Sequence, residues 1–405
     1  MTNGALIQLV ASGQQNVFLN NTPHCNWFKR TFRGHKNFAV ETYTLPIDLR
    51  FDNFYNVSLP YIGDLVHRCF VHIRLPQLSN AVPDGSTYLG WCNSVGHAII
   101  ESVKVKIGHQ EFDTVTGDEL EVYTERELRE ELKTGYNEMV GKYSDLTELE
   151  TNGEQELDLY IPLPFWFCER IGLSIPLVSL WSHKVEFEFK IRPFSELVVY
   201  DGDTPPEDLL FSIVSSDLLI DYIYLDSQER NKWKNSPHSY LIEQHQRVIT
   251  RVLEGESSKL VSVDTFHATK QMTFVFVEQD SKDNNDHFNY ARRTDGLSPI
   301  TNINIQAKGN LLLKTKLPEA YLRLIEPFKR STGITNKYIY QYSFGFKPED
   351  YEPSGFLNFS ALDSNGVVLL LDIRTGTKTS FIYVFVKNYN FYTVKNGTAR
   401  LQFVS

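Results

Sequence analysis

Two carboxylates two residues apart, Glu186 and Glu188, form a candidate catalytic pair. Two acids on one strand face can supply the general acid and the nucleophile of glycoside hydrolysis. Here the acids alternate with Val185, Phe187 and Phe189, and successive side chains of a strand point to opposite faces. The pattern therefore favours a strand with an apolar buried face and a solvated acidic face over a catalytic site.

The histidines do not show a metal-binding spacing. His67 and His72 lie five residues apart in one predicted strand, so they should point to opposite faces and cannot share a metal by that spacing. The sequence also lacks the motifs Cys-x-x-Cys, His-Glu-x-x-His, Gly-x-Gly-x-x-Gly and Gly-x-Ser-x-Gly. We therefore predict no catalytic residues, no cofactor and no metal site, and a protein that is not an enzyme.

The four cysteines are scattered at positions 25, 69, 92 and 168. Residues 1–12 lack the basic and apolar regions of a secretory signal, and no apolar run approaches the ~18 residues of a membrane span. A reducing compartment and free thiols are expected at all four positions, which are Cys25, Cys69, Cys92 and Cys168. The sequence does not decide whether its four Asn-x-Ser/Thr sites are glycosylated, although unmodified side chains are the simplest expectation; these sites are Asn20, Asn56, Asn358 and Asn396.

The elements that must position all these residues are mostly strands. Short alternating segments, bounded by Gly, Pro, Asn or Asp, recur from Val66–Leu75 to Thr398–Val404. Together with 27 Phe and 21 Tyr, this pattern predicts an all-β protein made of β-sandwiches. A proline-containing stretch at 197–208 predicts a linker, and each half is long enough for its own eight-stranded sandwich.

Local signals add detail to this all-β prediction. Asp226 is predicted to cap a short helix, and the polar segment 279–298 is predicted to be an exposed loop. The apolar run Phe165–Phe167 must be buried to be tolerated. A turn at Pro353–Gly355, with a positive φ at Gly355, should precede a strand.

The net charge of −10 is concentrated in residues 111–160, which carry 16 acidic and 4 basic side chains. Residues 118–133 have apolar side chains at helical spacing and predict one helix with a solvated acidic face, in which Glu125 pairs with Arg129. A chain with this charge is a poor candidate for binding a phosphate backbone.

One segment, 26–38, interleaves aromatic and basic residues. Such a segment could line a nucleic-acid groove. The favoured alternative is a strand whose aromatic side chains belong to the core, while the aliphatic parts of its cations lie along the apolar surface.

Several blocks of the sequence carry a resemblance to a known family. They are Gly4–Gly13, Val17–Leu19, Phe28–Glu41, Gly63–Leu65, Leu163–Phe167 with Leu173–Leu177, Leu218–Arg230 with Tyr240–Gln244, Tyr342–Ser360 and Asn388–Asn390. In this order the blocks resemble the major capsid proteins of nucleocytoplasmic large DNA viruses, a group that includes iridoviruses, chlorella viruses and mimivirus-like viruses. The resemblance implies a double jelly roll: an N-terminal arm (1–24), a first jelly roll (25–196), a linker (197–208) and a second jelly roll (209–405).

The resemblance also implies a function and partners. It implies a structural subunit of an icosahedral capsid that assembles as a homotrimer with a pseudo-hexagonal outline and then with neighbouring capsomers. Minor capsid proteins and a penton protein would be further partners, with an underlying membrane layer contacted at most indirectly and no specific nucleic acid. The location would be the virion, with assembly in the host cytoplasm. A minor capsid or scaffold paralogue stays open as an alternative, as do, less favoured, a carbohydrate-binding module and a β-sandwich hydrolase.

Overall fold

The structure is a computed structural model of the 405-residue chain. It describes residues 3–404 except 25, 31, 80–81, 84, 203–205, 207–210, 314, 363–365 and 375–378. Cys25 and much of the predicted linker, 203–205 and 207–208, thus lie outside the described residues. No helix in the described part is long and apolar enough to cross a membrane.

Residues up to Phe38 form a unit separate from Ala39–Ser405. This N-terminal unit contains two short helices, α1 (Asn3–Val10) and α2 (Gln14–Asn20), and neither of them buries a residue. The two helices of this unit thus do not form a buried core.

The aromatic residues of segment 26–38 are not core residues. Trp27, Phe28 and Phe32 are each more than nine-tenths exposed. The first strand begins only at Phe38, so the segment that carries these rings has no sheet partner that could bury them. The prediction of a strand with core aromatics is therefore wrong for this segment.

Within the described residues, the first group of sheets contains ten strands. They are β1 (Phe38–Ile47), β2 (Phe54–Ser58), β3 (Leu65–Leu75), β4 (Leu89–Trp91), β5 (Ile100–Ile107), β6 (Gln110–Thr116), β7 (Leu157–Pro162), β8 (Val185–Ile191), β9 (Val198–Tyr200) and β10 (Ser215–Leu225). One four-stranded sheet has the order β1-β10-β3-β7 and the other the order β2-β8-β5-β6, while β4 and β9 pair separately. Buried and partly exposed residues alternate along β8, as expected for a strand with one face on a core. The two four-stranded sheets form an eight-stranded jelly roll.

Short helices connect these strands. They are α3 (Val95–Ala98), α4 (Gly117–Arg126), α5 (Glu130–Val140), α6 (Leu146–Thr151) and α7 (Trp166–Glu169), with 3₁₀ turns at Ile171–Leu173, Leu177–Ser179 and Phe194–Glu196. Helix α4 starts at Gly117, where a Cβ atom would lie 2.2 Å from the carbonyl oxygen of His97 and 2.6 Å from that of Ile100. Only glycine therefore lets α4 pack this closely against α3.

The second group of sheets uses the rest of the chain. Its strands are β11 (His238–Val252), β12 (Ser258–Val263), β13 (Ala268–Glu278), β14 (Ile300–Ala307), β15 (Asn310–Leu311), β16 (Leu317–Pro318), β17 (Ile339–Ser343), β18 (Leu357–Asn358), β19 (Val367–Ile373), β20 (Ser380–Lys395) and β21 (Thr398–Leu401). One sheet has the order β11-β20-β13-β17, with β18 beside β13 and β21 beside β20; the other has the order β12-β19-β14-β15, with β16 beside β14. Their facing apolar side chains make a second core, so the chain holds two jelly rolls and the predicted all-β double jelly roll is confirmed.

The second group also contains three α-helices, a π-helical turn and a 3₁₀ turn in its described residues. They are α8 (Ser227–Asn235), α9 (Gln279–Asp283), α10 (Glu326–Arg330), the π-helical turn Tyr321–Ile325 and the 3₁₀ turn Phe359–Ala361. Asp226 caps α8 as predicted, since its carboxylate accepts hydrogen bonds from the backbone N–H groups of Gln228 and Glu229, both at 2.9 Å. The predicted positive φ at Gly355 is also confirmed, at 146°.

Strand pairing near the predicted linker differs from the expected division of the chain. Part of that linker, Val198–Tyr200, is strand β9 and pairs with β4. Strand β10, which follows the linker, pairs with β3 of the first jelly roll. The first group of sheets thus extends to Leu225.

The acidic region differs most from its prediction. Instead of one helix over 118–133, the chain forms α4 and α5, because Arg129 has an extended backbone and occupies the position before the first residue of α5. Helix α4 ends at Arg126, so Glu125 and Arg129 do not share a helix and the predicted pair is replaced by bonds from Glu125 to Lys142 and Thr335.

The polar segment 279–298 is not simply an exposed loop. It contains α9 and buries His287, Phe288 and Tyr290, of which Tyr290 is 1% exposed. The aromatic rings within the polar run pack inwards, which the run's average polarity does not indicate.

Candidate functional site: the contact between the two jelly rolls

An aromatic cluster joins the two jelly rolls. The rings of Phe112 in β6 and Tyr392 in β20 meet edge to face with centroids 5.3 Å apart, and Trp166 in α7 lies 6.3 Å from the same tyrosine ring. Phe165, Trp166 and Phe167 are all buried, as predicted for this run. Burying rings of this size contributes strongly to the contact between the jelly rolls.

Beside this cluster lies a set of charged side chains, most of them buried or half-buried, that we call the charged seam. It comprises His97, Asp113, Glu121, Glu125, Arg126, Glu127, Lys142, Glu169, Glu243, His245, Lys270, Lys337, Glu349 and Lys387. Three of its seven carboxylates, Glu121, Glu125 and Glu127, lie on or just after α4, and several of its cations come from the second jelly roll. The seam therefore links the two jelly rolls electrostatically.

Glu121 is the most enclosed carboxylate of the charged seam, with a side chain that is 0% exposed. It receives His97 Nδ1 at 2.8 Å, Lys142 Nζ at 2.7 Å and Lys337 Nζ at 2.5 Å. Burial alone would raise the pKa of Glu121, but these three neighbours hold it well below its usual range. Burial lowers the pKa of His97, so its Nδ1–H donates to Glu121 while Nε2 accepts from the Tyr136 hydroxyl at 3.1 Å.

The C-terminal end of α4 is hydrogen-bonded to the segment around the start of β17. Arg126 donates to the carbonyl oxygen of Gly333 at 2.8 Å and to that of Ile339, and Gly333 N–H donates back to the Arg126 carbonyl at 2.9 Å. Glu125 accepts from the Thr335 hydroxyl at 2.7 Å. These bonds join residues about 210 positions apart in the sequence, so they fix α4 against the second jelly roll.

A second part of the charged seam surrounds Lys387 of β20. Its ammonium contacts Glu127, which also accepts a bond from Gln271 at 3.3 Å, while Lys270 pairs with Glu243 at 2.5 Å. Burial would lower the pKa of Lys387, but the surrounding carboxylates raise it well above its usual range. The ammonium thus stays charged inside the contact.

The pKa values of two further carboxyl groups in this region are raised rather than lowered. Burial, and the charge of Glu127, raise the pKa of Glu349 to about 8, and burial also raises the pKa of Glu169. One oxygen of Glu349, Oε1, is buried without a hydrogen-bond partner. Both side chains line a cavity of about 680 Å³ together with Glu127 and Glu243. Burial and the neighbouring carboxylates both disfavour the charged form of Glu349, which is why its pKa is raised.

Asp113 and His245 make a further ion pair between the jelly rolls. The imidazole Nδ1 lies 2.9 Å from the Asp113 carboxylate, which also accepts the backbone N–H of His245 at 2.8 Å. Burial would lower the pKa of His245, but Asp113 and then Glu119 raise it to about 9. His245 is therefore a charged partner at neutral pH.

These contacts correct the prediction that the acidic helix has a solvated face. Asp118, Glu119, Glu121 and Arg126 are all at most 6% exposed. The second jelly roll supplies the partners that make this burial possible, and the sequence does not show which distant lysines and histidine these are. The sequence contains one local indication that these acids have partners elsewhere: residues 118–121 contain three acids and no cation, which is an unusual density for a solvated helix.

The residues singled out for chemistry lie in separate places. Ser58 donates to Glu186 at 2.8 Å, and Lys106 pairs with Glu188. Val185, Phe187 and Phe189 are buried on the other face, as the alternation predicts.

The two histidines of β3 have different partners. His67 Nδ1 lies 2.7 Å from the carbonyl oxygen of Phe167, and His72 lies between Asp158 and Asp217. Among the described residues, no group of three His, Cys, Asp or Glu side chains could hold a metal ion.

The remaining residues singled out are the cysteines and the glycosylation candidates. Cys69, Cys92 and Cys168 are buried free thiols, and burial raises the pKa of Cys92 to about 12. The four Asn-x-Ser/Thr asparagines are all exposed, at Asn20, Asn56, Asn358 and Asn396.

Two family models match nearly the whole chain. The model of the major capsid protein N-terminus matches residues 26–226, and that of the large eukaryotic DNA virus major capsid protein matches residues 229–400. The chain belongs to the major capsid proteins of large eukaryotic DNA viruses.

Relatives and solved structures of this capsid family are consistent with that assignment. The chain is 29% identical to the major capsid protein of Pyramimonas orientalis virus and 27% identical to that of Phaeocystis pouchetii virus, with 99% of both chains covered in each comparison. Its fold is similar to that of a chain in the quasi-atomic model of the PBCV-1 virus capsid, with a TM-score of 0.80 at 21% identity over 94% of this chain and 100% of that chain. The function of this capsid-family chain is structural: it is a shell-forming subunit.

Proposed function

We propose that three copies of this chain form a trimer with a pseudo-hexagonal outline, the tile from which an icosahedral capsid is built. The carrying observation is that one chain holds two complete jelly rolls whose mutual contact is fixed by the aromatic cluster and the charged seam. Two fixed jelly rolls per chain supply six in a trimer, and six similar bodies around one axis give a hexagonal tile.

The composition of the chain supports self-association. Exposed aromatic side chains are frequent on the second jelly roll and include Phe328, Phe346, Phe356 and Phe403, each at least half exposed. Interface cores take up aromatic residues preferentially. An obligate trimer of such chains should bury more than ~2,000 Å² at each interface.

We further propose that the chain has no catalytic role. The carboxylate of Glu186 accepts a hydrogen bond from Ser58, and that of Glu188 pairs with Lys106, so both acids have structural partners. Minor capsid proteins and a penton protein are proposed partners, together with an underlying membrane contacted indirectly, and no specific nucleic acid. Assembly in the host cytoplasm is proposed as well, and the buried free thiols are suited to a reducing compartment.

The division of the chain is also a proposal. We place the end of the first jelly roll at Leu225 rather than at 196, because β10 pairs with β3. The capped helix α8 then begins the connection to the second jelly roll.

Light scattering coupled to size-exclusion chromatography tests the trimer. The expected mass is three times the chain mass of 46.8 kDa, and it should persist on dilution to micromolar concentration because an obligate oligomer leaves little folded monomer. A folded monomer whose mass does not change with concentration would refute the proposed function.

A further inference from the structure

The N-terminal unit exposes many apolar side chains, which its own fold does not bury. Its large apolar side chains are between about half and almost fully exposed, and they are Leu6, Ile7, Leu9, Val10, Val17, Phe18, Leu19, Trp27, Phe28 and Phe32. Exposed apolar area on this scale marks a surface that contacts another molecule.

The charges of the same unit are all positive. Residues 1–38 contain two lysines and two arginines, at 29, 30, 33 and 36, and no aspartate or glutamate. Since the whole chain carries −10, residues 39–405 carry −14. Trp27, Phe28 and Phe32 lie among these cations, so the segment 26–38 offers rings and positive charge together.

A complementary surface exists at one end of the first jelly roll. We call it the acidic strip; it consists of the exposed carboxylates Glu130, Glu131, Glu138, Asp145, Glu148, Glu150, Glu154 and Glu156. The two lysines between them do not neutralise the whole strip, because Lys142 turns inwards to Glu121 and Glu125, while Lys133 pairs with Glu130 at 2.9 Å and donates to the Glu125 carbonyl oxygen at 3.4 Å.

The two ends of the acidic strip belong to one surface. Asn93 donates to the carbonyl oxygen of Tyr143, just after α5, at 2.9 Å. Asn152, just after α6, exchanges hydrogen bonds of 2.7 and 2.9 Å with the backbone of Trp91. The C-terminal ends of α5 and α6 are thus anchored two residues apart on the same part of the first jelly roll.

A cavity with both charged and apolar lining residues lies beside α5, which carries part of the acidic strip. Leu128, Leu132 and Met139, on or beside α5, line the cavity of about 680 Å³ described above, and Leu132 is half exposed. A cavity of this volume is large enough for ligand groups of the size of aromatic side chains. The strip and the cavity together match the cations and the rings of segment 26–38.

We propose that segment 26–38 of one copy docks on the acidic strip of a second copy, with its rings directed to the adjoining cavity. This inference rests on the proposed self-assembly. Every copy carries one basic segment and one acidic strip, so a shell of identical chains satisfies all of them in a one-to-one ratio. An anionic membrane surface is the rival occupant for a segment that combines rings and cations.

A disulfide trap in the full-length protein tests the contact. Two variants are co-expressed, one with Arg33→Cys and the other with Glu150→Cys, and the assembled protein is oxidised with copper phenanthroline. The expected product is a species of two chains whose linking peptide joins positions 33 and 150 by mass spectrometry. Glu254→Cys, at an exposed acid outside the strip, is the matched control and should give at least tenfold less of this product.

Charge exchange gives the second readout. Reversal of the segment (Lys29→Glu, Arg30→Glu, Arg33→Glu) and reversal of the strip (Glu148→Lys, Glu150→Lys, Glu154→Lys) should each weaken assembly beyond the trimer, and the combination should restore it. Neutralising three exposed cations of the second jelly roll, Lys234→Gln, Arg251→Gln and Arg293→Gln, should leave assembly unchanged.

The outcomes separate this inference from the proposed function. A trimer that forms without the 33–150 link and without charge-exchange rescue overturns the docking and leaves the proposed function standing. Reversing the charges of the segment could instead abolish binding to phosphatidylserine vesicles and leave assembly unchanged. That result would also overturn the docking and leave the proposed function standing. Absence of a trimer in the unmodified protein contradicts the proposed function itself.

Discussion

Replacing Glu121 by glutamine should destabilise the fold more than any surface charge change. The substitution keeps the size of the side chain but removes the charge that His97, Lys142 and Lys337 approach at 2.5–2.8 Å. The two ammonium groups would then share the single carboxylate of Glu125, which lies 2.6 Å from Lys142 and 4.0 Å from Lys337.

The magnitude follows from the enclosure of the site. Breaking a buried ion pair by removing one partner costs about 3–5 kcal/mol, because a charge is left in a region with little water. Glu101→Gln is the matched control: its pair with Lys190 is more than one-third exposed on both sides, and such pairs contribute ~0–1 kcal/mol. The difference between the two variants should therefore be about 3 kcal/mol.

Chemical denaturation at pH 7 measures the free energy of unfolding that each of the two variants loses. The protein concentration must be the same throughout, since the stability of an oligomer depends on concentration. Lys337→Met combined with Glu121→Gln should recover part of the loss, with a coupling energy of about 1–3 kcal/mol across residues 216 positions apart. Equal losses for Glu121→Gln and Glu101→Gln, or a coupling near zero, would show that Glu121 does not hold the two jelly rolls together.

Three further variants or measurements test other parts of the structure. The pKa of Glu349 is raised to about 8 from ~4.3 in the unfolded chain, so its favourable contribution is complete below pH ~4.3 and is lost as the pH rises to about 8. Glu349→Gln should therefore unfold at higher urea than the unmodified protein at pH 8.5 and at equal urea at pH 4, and the opposite order at pH 8.5 would contradict this. Gly355→Val should cost about 1–3 kcal/mol, because φ is 146° and a Cβ would lie 2.7 Å from the Phe344 carbonyl oxygen; unchanged thermal unfolding would exclude this strain. Alkylation without reductant, followed by mass spectrometry of the assembled particle, should label every thiol once the protein is denatured, and a bridge in most molecules would disprove the prediction for Cys25, Cys69, Cys92 and Cys168.

Local patterns in the sequence were sufficient for the strands and for single caps and turns. Alternation along 185–191 predicted both the strand and its buried face, and Asp226 predicted the start of α8. These features depend on residues close together in the chain, and sequence-based reasoning handles such features well.

Features that depend on distant partners were mispredicted. The acids between Asp113 and Glu127 were expected to be solvated because their partners His245, Lys337 and Lys387 lie more than a hundred residues further along the chain. Likewise, β10 follows a linker-like stretch and still pairs with β3, since the closing strand of a jelly roll comes from far along the chain. The family resemblance gave the fold class, but it did not identify the charged seam.

The most direct test of the central claim is imaging of the purified protein by negative-stain electron microscopy with class averaging. Three chains with two jelly rolls each should give particles with a hexagonal outline and threefold symmetry, each composed of six similar densities. Averages that show single two-lobed particles of one chain, or rings of another symmetry, would contradict the proposal that this capsid-family chain builds a trimeric tile.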